Sequence, residues 1–167
     1  GTDVLNATDE EREAISRRWG VLFQQGALFS SMTVQENVET PMREMAHIDP
    51  DLRPELARLK VAMSGLPANA CAKYPSELSG GMQKRAGLAR ALALDPDIVF
   101  LDEPTAGLDP IGATQFDELI KQLKESLGLT VFMVTHDLDS LHAICDRVAV
   151  LAEKKVLVTG TMADMLK

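Results

Sequence analysis

Two short segments of the sequence combine residue types that serve phosphate chemistry. The segment Leu78-Ser79-Gly80-Gly81-Met82-Gln83 places small residues at the start of a predicted helix, where free backbone N–H groups attract an anion. The apolar run 98–101 leads directly into Asp102 and Glu103. These carboxylates lie at the C-terminal end of a predicted buried strand, where ligands bind in open α/β sheets. Together the two segments indicate nucleotide chemistry.

Asp102 and Glu103 suit two different tasks. Mg²⁺ prefers carboxylate oxygens and water, and Asp102 can supply one oxygen from a fixed strand end. Glu103 can orient or deprotonate a water that attacks a γ-phosphate. The alternative is that two adjacent acids simply end a strand, and the pair alone leaves both interpretations open.

Two further polar residues follow predicted strands. His136 comes after the apolar run 130–134, where an imidazole can hydrogen-bond a transferring phosphoryl group and hold the attacking water. The alternative is a structural or solvent-exposed histidine. Gln24 ends the first predicted strand, and its amide can bind Mg²⁺ or water, although an ordinary polar turn is the favoured explanation of this residue taken alone.

The helix start at Ser79 also has a simpler explanation. Serine is a good N-cap, and the pair Gly80-Gly81 is a common turn element. Three basic residues follow in the same helix. We interpret them as its solvated or ion-paired face rather than as phosphate ligands: Lys84, Arg85 and Arg90.

The composition is that of an ordinary globular domain. The 167 residues are 46% hydrophobic and 25% charged, with a formal net charge of −8. This acidic balance argues against nucleic-acid binding, which needs a basic face. Cys71 and Cys145 are too few for a disulfide scaffold or a metal cage, which favours a reducing compartment. No apolar run approaches the roughly 20 residues of a membrane span, so we expect a soluble chain.

Hydrophobic periodicity divides the chain into helices and strands. Predicted helices cover 6–18, 31–51 with a proline interruption, 50–63, 80–94, 114–127, 138–143 and 163–167. Predicted strands cover 21–23, 98–101, 130–134, 147–151 and 156–158. Continuous apolar strands separated by helices predict a parallel α/β sheet, interrupted by a helical insertion over 31–94.

The order of these motifs resembles that of the ATP-binding-cassette (ABC) ATPases. The segment 78–82 looks like the LSGGQ signature with Met82 in place of glutamine, and 98–103 looks like the Walker B strand with its catalytic glutamate. The segment 106–109, which ends in Asp109, looks like the D-loop. Gln24 and His136 look like the Q-loop glutamine and the switch histidine.

Finer features resemble the ATPases of Mla/Mce-type (toluene-tolerance) lipid transporters. These features are the segment 23–29, the methionine of the signature and the segment 85–90. Such transporters move phospholipid or related lipids between bacterial envelope membranes. ATPases of amino-acid importers and lipoprotein exporters share most of these motifs and remain alternatives.

The resemblance implies an α/β fold built on a partial P-loop NTPase (RecA-like) parallel sheet with an inserted α-helical subdomain. We expect residual core elements and the Q-loop in 1–30, the helical subdomain with the signature in 31–94, and the C-terminal RecA-like core in 95–167. ATP and Mg²⁺ are the implied cofactors, and hydrolysis of ATP coupled to transport is the implied activity.

The resemblance assigns the site residues of the family to individual positions of this sequence. Glu103 and His136 are the expected catalytic residues, and Asp102 and Gln24 the expected Mg²⁺ ligands. The expected nucleotide-binding residues are Gln24, Ser79, Gly80, Gly81 and Asp109.

The family works as a head-to-tail dimer, so Asp102 and Glu103 are expected to serve the chain's own ATP and Ser79 and Gly81 the partner's. The insertion after Gln24 is expected to receive a membrane permease. The protein is expected on the cytoplasmic face of the cell membrane.

One family motif is missing from the sequence. No Gly-Lys pair occurs, so the phosphate loop Gly-x-x-x-x-Gly-Lys-Ser/Thr is absent, together with the strand that leads to it. We therefore expect a C-terminal fragment with negligible ATPase activity, exposed apolar surface and a tendency to self-associate. Two other classes remain: a soluble ABC protein acting on DNA or ribosomes, which the net charge disfavours, and a non-catalytic interaction module, which Glu103 and His136 disfavour.

Overall fold

The computed structural model describes residues 4–165, in which seven α-helices and five β-strands are found. The helices are α1 Asp9–Ser16, α2 Val34–Glu44, α3 Arg53–Met63, α4 Gly80–Ala91, α5 Pro110–Leu127, α6 Leu138–Ile144 and α7 Met162–Met165. The strands are β1 Trp19–Leu22, β2 Ile98–Asp102, β3 Thr130–Val134, β4 Arg147–Ala152 and β5 Lys155–Thr161. Two 3₁₀ helices, Ala68–Ala72 and Pro75–Glu77, connect α3 to α4. None of the helices in the described range combines the length and apolar content that a bilayer crossing requires.

Strands β1, β2 and β3 form a parallel sheet, as predicted, and their order in it is β1-β2-β3. The register pairs Leu22 with Leu101 and Asp102 with Val134, so the C-terminal ends of all three strands lie along one edge. Strand β1 lies very close to α4, because a Cβ on Gly20 would stand 2.3 Å from the carbonyl oxygen of Ala91. Strand β1 begins two residues before the predicted strand 21–23 and ends one residue before it.

Strands β4 and β5 form a separate antiparallel hairpin. The prediction of a β4 strand in the parallel sheet and a short edge strand over 156–158 is therefore wrong. The tight turn at Glu153 and Lys154, both with positive φ (52° and 61°), reverses the chain after β4. Two left-handed residues in succession are typical of a hairpin turn, but neither residue belongs to the types that favour such a turn. The sequence therefore lacked the usual signal.

One face of the parallel sheet packs on helices, whereas the other face is bare within residues 4–165. The packed face forms a core with α4, α5 and α6: Leu22, Leu88, Leu92, Val99, Leu101, Phe116, Ile120, Leu123 and Ile144. On the bare face, the ring of Phe100 lies between those of Trp19 and Phe132, with centroids 5.4 and 5.6 Å away. Phe132 is 58% exposed, although parallel sheets are ordinarily covered on both faces. The predicted exposed apolar surface is thus confirmed.

A second apolar core lies among α2, α3 and α4. Its buried members are Val34, Val38, Met42, Ala57, Val61, Leu66, Ala70, Cys71, Leu78, Ala86, Ala89 and Ala93. Helix α4 contributes to both cores, because Ala86 and Ala89 face the helices while Leu88 faces the sheet. Small residues on α4 allow this double packing. The helix is therefore the structural link between the helical segment and the sheet.

Several helices differ in length from their predictions for local reasons. Helix α2 begins at a capping box formed by Thr33 and Glu36 and ends at Glu44, so the predicted helix 31–51 is too long. Helix α5 begins four residues before the predicted start, because Asp109 caps it and Pro110 suits the first helical position. Helix α1 begins at a capping box formed by Thr8 and Glu11 and spans only Asp9–Ser16 of the predicted 6–18. The end of the predicted helix 163–167 lies outside the described residues.

Candidate nucleotide site

Glu103 and His136 lie together at the C-terminal ends of β2 and β3. These strands are neighbours, and the backbone N–H of Glu103 donates to the oxygen of Val134 at 2.9 Å. The Glu103 Oε1 atom lies 2.8 Å from Nδ1 of His136. The hydroxyl of Thr135 donates to the other carboxylate oxygen at 3.4 Å. The two predicted catalytic residues are therefore in direct contact.

This contact changes the titration of the histidine. The hydrogen bond with the Glu103 carboxylate, then the negative charge of that group, raise the pKa of His136 above its ordinary value. The nearby Asp137 adds a smaller effect in the same direction. The contact therefore stabilises the imidazolium form of His136 relative to that of a free histidine.

Lys84 does not lie on a solvated or ion-paired face of its helix, as the sequence led us to expect. It is buried, 6% exposed, and its Nζ donates to the backbone oxygens of Gln24 at 2.9 Å and of Glu103 at 3.1 Å. Burial lowers the pKa of Lys84, while the carboxylates of Glu103 and Asp102 oppose that shift. The prediction is wrong because two loops present backbone oxygens to this side of α4, and each needs a donor.

The other two basic residues of α4 also bind backbone oxygens. Arg85 donates to the oxygen of Ser64 at 3.1 Å, and Arg90 donates to the oxygens of Gly26 and Ala27 at 2.9 and 2.7 Å. The prediction of a solvated or ion-paired face is therefore wrong for these residues too, because they donate hydrogen bonds to the backbones of two neighbouring segments.

Asp102 and Gln24 lie at the same edge of the sheet. Asp102 is the last residue of β2, and Gln24 follows the end of β1 by two positions; both residues are exposed. Among residues 4–165, no group of three or more His, Cys, Asp or Glu side chains could hold a metal ion. Mg²⁺ usually keeps several waters and takes one or two carboxylates beside substrate phosphates. The donor set therefore fits a Mg²⁺ ion that is shared with a nucleotide, and not an all-protein metal site.

The signature and the D-loop residues lie at helix starts. Ser79 caps α4, where its hydroxyl accepts from the N–H of Met82 at 3.3 Å, and Gly80 is exposed with open space around it. A Cβ on Gly81 would stand 3.6 Å from Leu108. Asp109, in the predicted D-loop, caps α5 by accepting from the N–H of Gly112 at 2.9 Å. Capping, the simpler explanation of Ser79, is thus observed, and Asp109 caps a helix as well.

Comparison with known sequences decides the family. A sequence profile described as ABC transporter matches residues 1–106, which is more than half of the chain. The chain belongs to the ABC transporter family. A second profile, described as AAA domain, putative AbiEii toxin, Type IV TA system, matches residues 73–141 of this ABC family member.

Named relatives of this ABC family member include lipid-transport ATPases. It is 41% identical over 167 residues to the intermembrane phospholipid transport system ATP-binding protein MlaF of Haemophilus influenzae, covering 100% of this chain and 63% of the relative. It is 38% identical over 166 residues to the probable ribonucleotide transport ATP-binding protein mkl of Mycobacterium tuberculosis, covering 99% of this chain and 46% of the relative. The chain thus spans less than two thirds of the length of these relatives. The similarity to Mla-type ATPases is confirmed at the sequence level.

Solved structures confirm the α/β cassette fold. The dimeric post-hydrolysis structure of the ATP-binding cassette MJ0796, bound to ADP and Pi, matches with a TM-score of 0.82 and 32% identity. That match covers 94% of this chain and 68% of the other. The cbiO1 protein of Clostridium perfringens, part of the ABC transporter complex cbiONQ, matches with a TM-score of 0.84 and 28% identity, covering 95% and 63% of the two chains.

A buried polar network beneath His136 in this ABC family member was missed by the sequence analysis. The Ser140 hydroxyl donates to Oδ2 of Asp117 at 2.8 Å and lies 3.3 Å from the hydroxyl of Thr105. Asp137 caps α6, and its carboxylate also accepts from Thr105 at 3.5 Å. Burial raises the pKa of Asp117, which is 5% exposed. A carboxylate inside the apolar stripe of α5 was the sequence signal that could have revealed it.

Proposed function

We propose that this chain is part of the nucleotide-binding subunit of an ABC transporter that hydrolyses ATP to move phospholipid between membranes. The observation that carries this proposal is the contact between Glu103 and His136 at the ends of two adjacent parallel strands. The similarity to the MlaF proteins supports phospholipid as the cargo.

In this proposal, Glu103 orients the attacking water and accepts its proton, and His136 holds the transferring phosphoryl group. Asp102 and Gln24 would hold a Mg²⁺ ion, which would neutralise charge on the phosphate oxygens. The contacts of the Glu103 carboxylate with His136 and with the hydroxyl of Thr135 orient it for this role. Both groups lie at the edge of the sheet where α/β folds bind ligands.

The proposal includes a head-to-tail dimer in which each chain completes its partner's site. Ser79 and Gly80 are exposed and Gly81 is half-buried at the start of a 12-residue helix, whose free N–H groups and dipole suit a γ-phosphate. Asp109, at the start of α5, belongs to the same surface in the proposed dimer. The similarity to a dimeric cassette structure supports this arrangement.

A groove beside the Q-loop is the proposed docking site for the membrane permease. It has a volume of about 530 Å³ and lies between β1, α2 and α4. Its lining is mostly apolar and includes Phe23, Phe29, Pro41, Met45 and Leu94. A helix from a permease with an apolar face would cover these side chains, which would hold the subunit on the cytoplasmic side of the membrane.

ATP hydrolysis by the full-length protein encoded by the gene tests the catalytic part. Glu103→Gln should reduce phosphate release by a factor of about 100 or more, because the variant lacks the general base. Glu125→Gln, on the exposed side of α5, is the matched control. Wild-type activity in the E103Q protein would refute the assignment.

Purification of the full-length protein with its membrane partners tests the transport part. Recovery of an integral permease with bound phospholipid is the expected result. Bound ribonucleotide in place of lipid would favour the cargo named for the mycobacterial relative. Recovery of nucleic acid without a permease would contradict the transport proposal.

A further inference from the structure

Helix α4 holds the loop that follows β1 at three backbone oxygens. Lys84 donates to the oxygen of Gln24, and Arg90 donates to the oxygens of Gly26 and Ala27. The backbones also pack directly, since a Cβ on Gly87 would stand 3.0 Å from Cα of Gly26. The loop and α4 therefore form one unit.

Lys84 extends this unit to Glu103. The same Nζ atom that binds the Gln24 oxygen binds the Glu103 oxygen at 3.1 Å. The two acceptors belong to different loops, which follow β1 and β2 respectively. One buried ammonium group thus connects the predicted Q-loop glutamine with the predicted catalytic glutamate through their backbones.

The Glu103 backbone needs such a contact. Glu103 has a φ of +46°, in the left-handed region that residues with a Cβ rarely adopt. Conformations of this kind persist where surrounding contacts determine them. Here the N–H of Glu103 donates to the oxygen of Val134, and its carbonyl accepts from the N–H of Ala106 at 3.2 Å and from Nζ of Lys84. These contacts fix the Glu103 backbone on both sides of Cα, and so fix the position from which its carboxylate reaches His136.

Helix α4 begins at Ser79, the residue proposed to contact the partner's nucleotide. A displacement at that end of a rigid helix is transmitted along it to Lys84, which lies one turn and a half further on. The two carboxylates that face the ammonium are those of Glu103 and Asp102. Both hydrogen-bond acceptors are uncharged backbone oxygens. The contacts of Lys84 therefore depend on its N–H donors and not on its charge.

We propose that Lys84 is a positioning residue that couples α4 to the orientation of the Glu103 carboxylate, by holding the backbone oxygens of Gln24 and Glu103 on one amine. This proposal rests on the proposed ATPase function. Contact of Ser79 with the partner's nucleotide sets the position of α4. Through its two hydrogen bonds, Lys84 transmits a displacement of α4 to Glu103, which activates the attacking water.

The test uses the full-length protein with three substitutions. Lys84→Met keeps the length of the side chain and removes every donor, whereas Lys84→Gln keeps two N–H donors without the charge. Lys121→Met, at an exposed position of α5, is the matched control. The readouts are kcat and KM for ATP, and hydrogen–deuterium exchange of peptides that cover 22–27 and 102–106.

We expect K84M to lower kcat by about tenfold while KM for ATP stays within about twofold, since substrate binding is kept and only the orientation of the reacting group is lost. Hydrogen–deuterium exchange in both peptides should rise together in K84M. In K84Q, both the exchange and kcat should return toward their wild-type values. K121M should match wild type in every readout.

Three results would overturn the coupling. The first is an unchanged kcat in K84M, and the second is a loss of kcat in K84Q as large as that in K84M. The third is a loss of kcat that is explained entirely by the fraction of protein unfolded at the assay temperature. A wild-type protein without ATPase activity is a different result, because it overturns the proposed function itself. In that case, hydrogen–deuterium exchange that is the same in K84M and in wild type would separately refute the role of Lys84 as a bridge between the two loops.

Discussion

Glu103 and His136 are hydrogen-bonded at 2.8 Å, although the glutamate side chain is 20% exposed and the histidine 84%. The pair therefore joins a largely covered carboxylate to an imidazole that stands in solvent. A water or a phosphate group can reach both residues from the solvent side. The neighbouring Thr135 hydroxyl fixes the second carboxylate oxygen, which leaves little freedom to the acidic partner.

The first prediction concerns the titration of His136. An NMR titration of its ring should give a pKa above the ordinary value of about 6.5, because the Glu103 carboxylate stabilises the imidazolium. In Glu103→Gln the pKa should fall toward that ordinary value. Glu125→Gln should leave the curve of His136 in place. A His136 curve that is identical in wild type and E103Q would show that the contact is not formed in solution.

The sign of the linked stability follows from the raised pKa. The folded state binds the His136 proton more tightly than the unfolded chain does. This contribution is fully present below about pH 6.5 and is lost as the pH rises through the raised folded pKa. The melting temperature of wild type relative to E103Q should therefore decline across that interval.

The second prediction concerns the buried carboxyl of Asp117. Burial raises its pKa, so the folded state binds this proton more tightly than the unfolded state. Stability should fall as the pH rises from about 3.9, the unfolded value, to the raised folded pKa. Asp117→Asn removes this loss, so its melting temperature relative to wild type should increase over the same interval.

Melting curves from about pH 3.5 to about pH 7 check the Asp117 prediction. Within residues 4–165, Oδ1 of Asp117 is buried without a hydrogen-bond partner, so an asparagine can keep the bond from Ser140. A difference between D117N and wild type that does not vary with pH would report altered hydrogen bonding only. It would contradict the raised pKa.

The sequence predicted the parts of the fold that depend on apolar runs. Strand β3 was predicted to the residue, because the run 130–134 is continuous and a glycine stands two positions before it. The placement of Glu103 and His136 at the C-terminal ends of strands followed from the apolar runs alone. The hairpin of β4 and β5 was missed, because its turn residues Glu153 and Lys154 carry no turn signal.

The environment of Lys84 could not be predicted for a different reason. A lysine on a helix is usually solvated, and nothing local distinguishes Lys84 from Arg85. Its burial depends on two loops that are about 20 and 60 residues away in sequence. Backbone oxygens that need a donor are a property of the folded chain, and they are invisible in hydrophobic periodicity.

The third prediction concerns the approach of β1 to α4. Gly20→Ala would place a Cβ 2.3 Å from the Ala91 oxygen, which forces the strand away from the helix. We expect the free energy of unfolding to fall by about 1–3 kcal/mol or more, as overpacking against backbone does. Gly80→Ala has open space and is the control; it should leave stability unchanged or raise it by up to about 1 kcal/mol. Urea denaturation followed by circular dichroism measures both changes, and equal stability of G20A and G80A would contradict the close approach.

The fourth prediction concerns nucleotide turnover by the 167-residue chain alone. Its sequence contains no Gly-Lys pair, so no phosphate-loop lysine is available to bind the β- and γ-phosphates. We expect no phosphate release above that of Glu103→Gln, and weak ATP binding by calorimetry. Turnover that depends on Glu103 would contradict this expectation.

The fifth prediction concerns association through the bare face of the sheet. Trp19, Phe100 and Phe132 form a continuous aromatic row on that face, and β3 has no second strand partner within residues 4–165. Exposed apolar surface beside an open strand edge favours pairing of two copies. We expect the 167-residue chain to associate as its concentration rises in sedimentation velocity experiments.

The single tryptophan of the sequence reports on this association directly, because Trp19 lies in the aromatic row. Its emission should shift to shorter wavelength as copies cover the face, in step with the sedimentation change. Phe132→Lys should suppress both signals, since association would bury a charge without a partner. Leu59→Lys, at an exposed position of α3, should leave both unchanged. Association that proceeds equally in F132K, without a shift in tryptophan emission, would mean that another surface joins the copies.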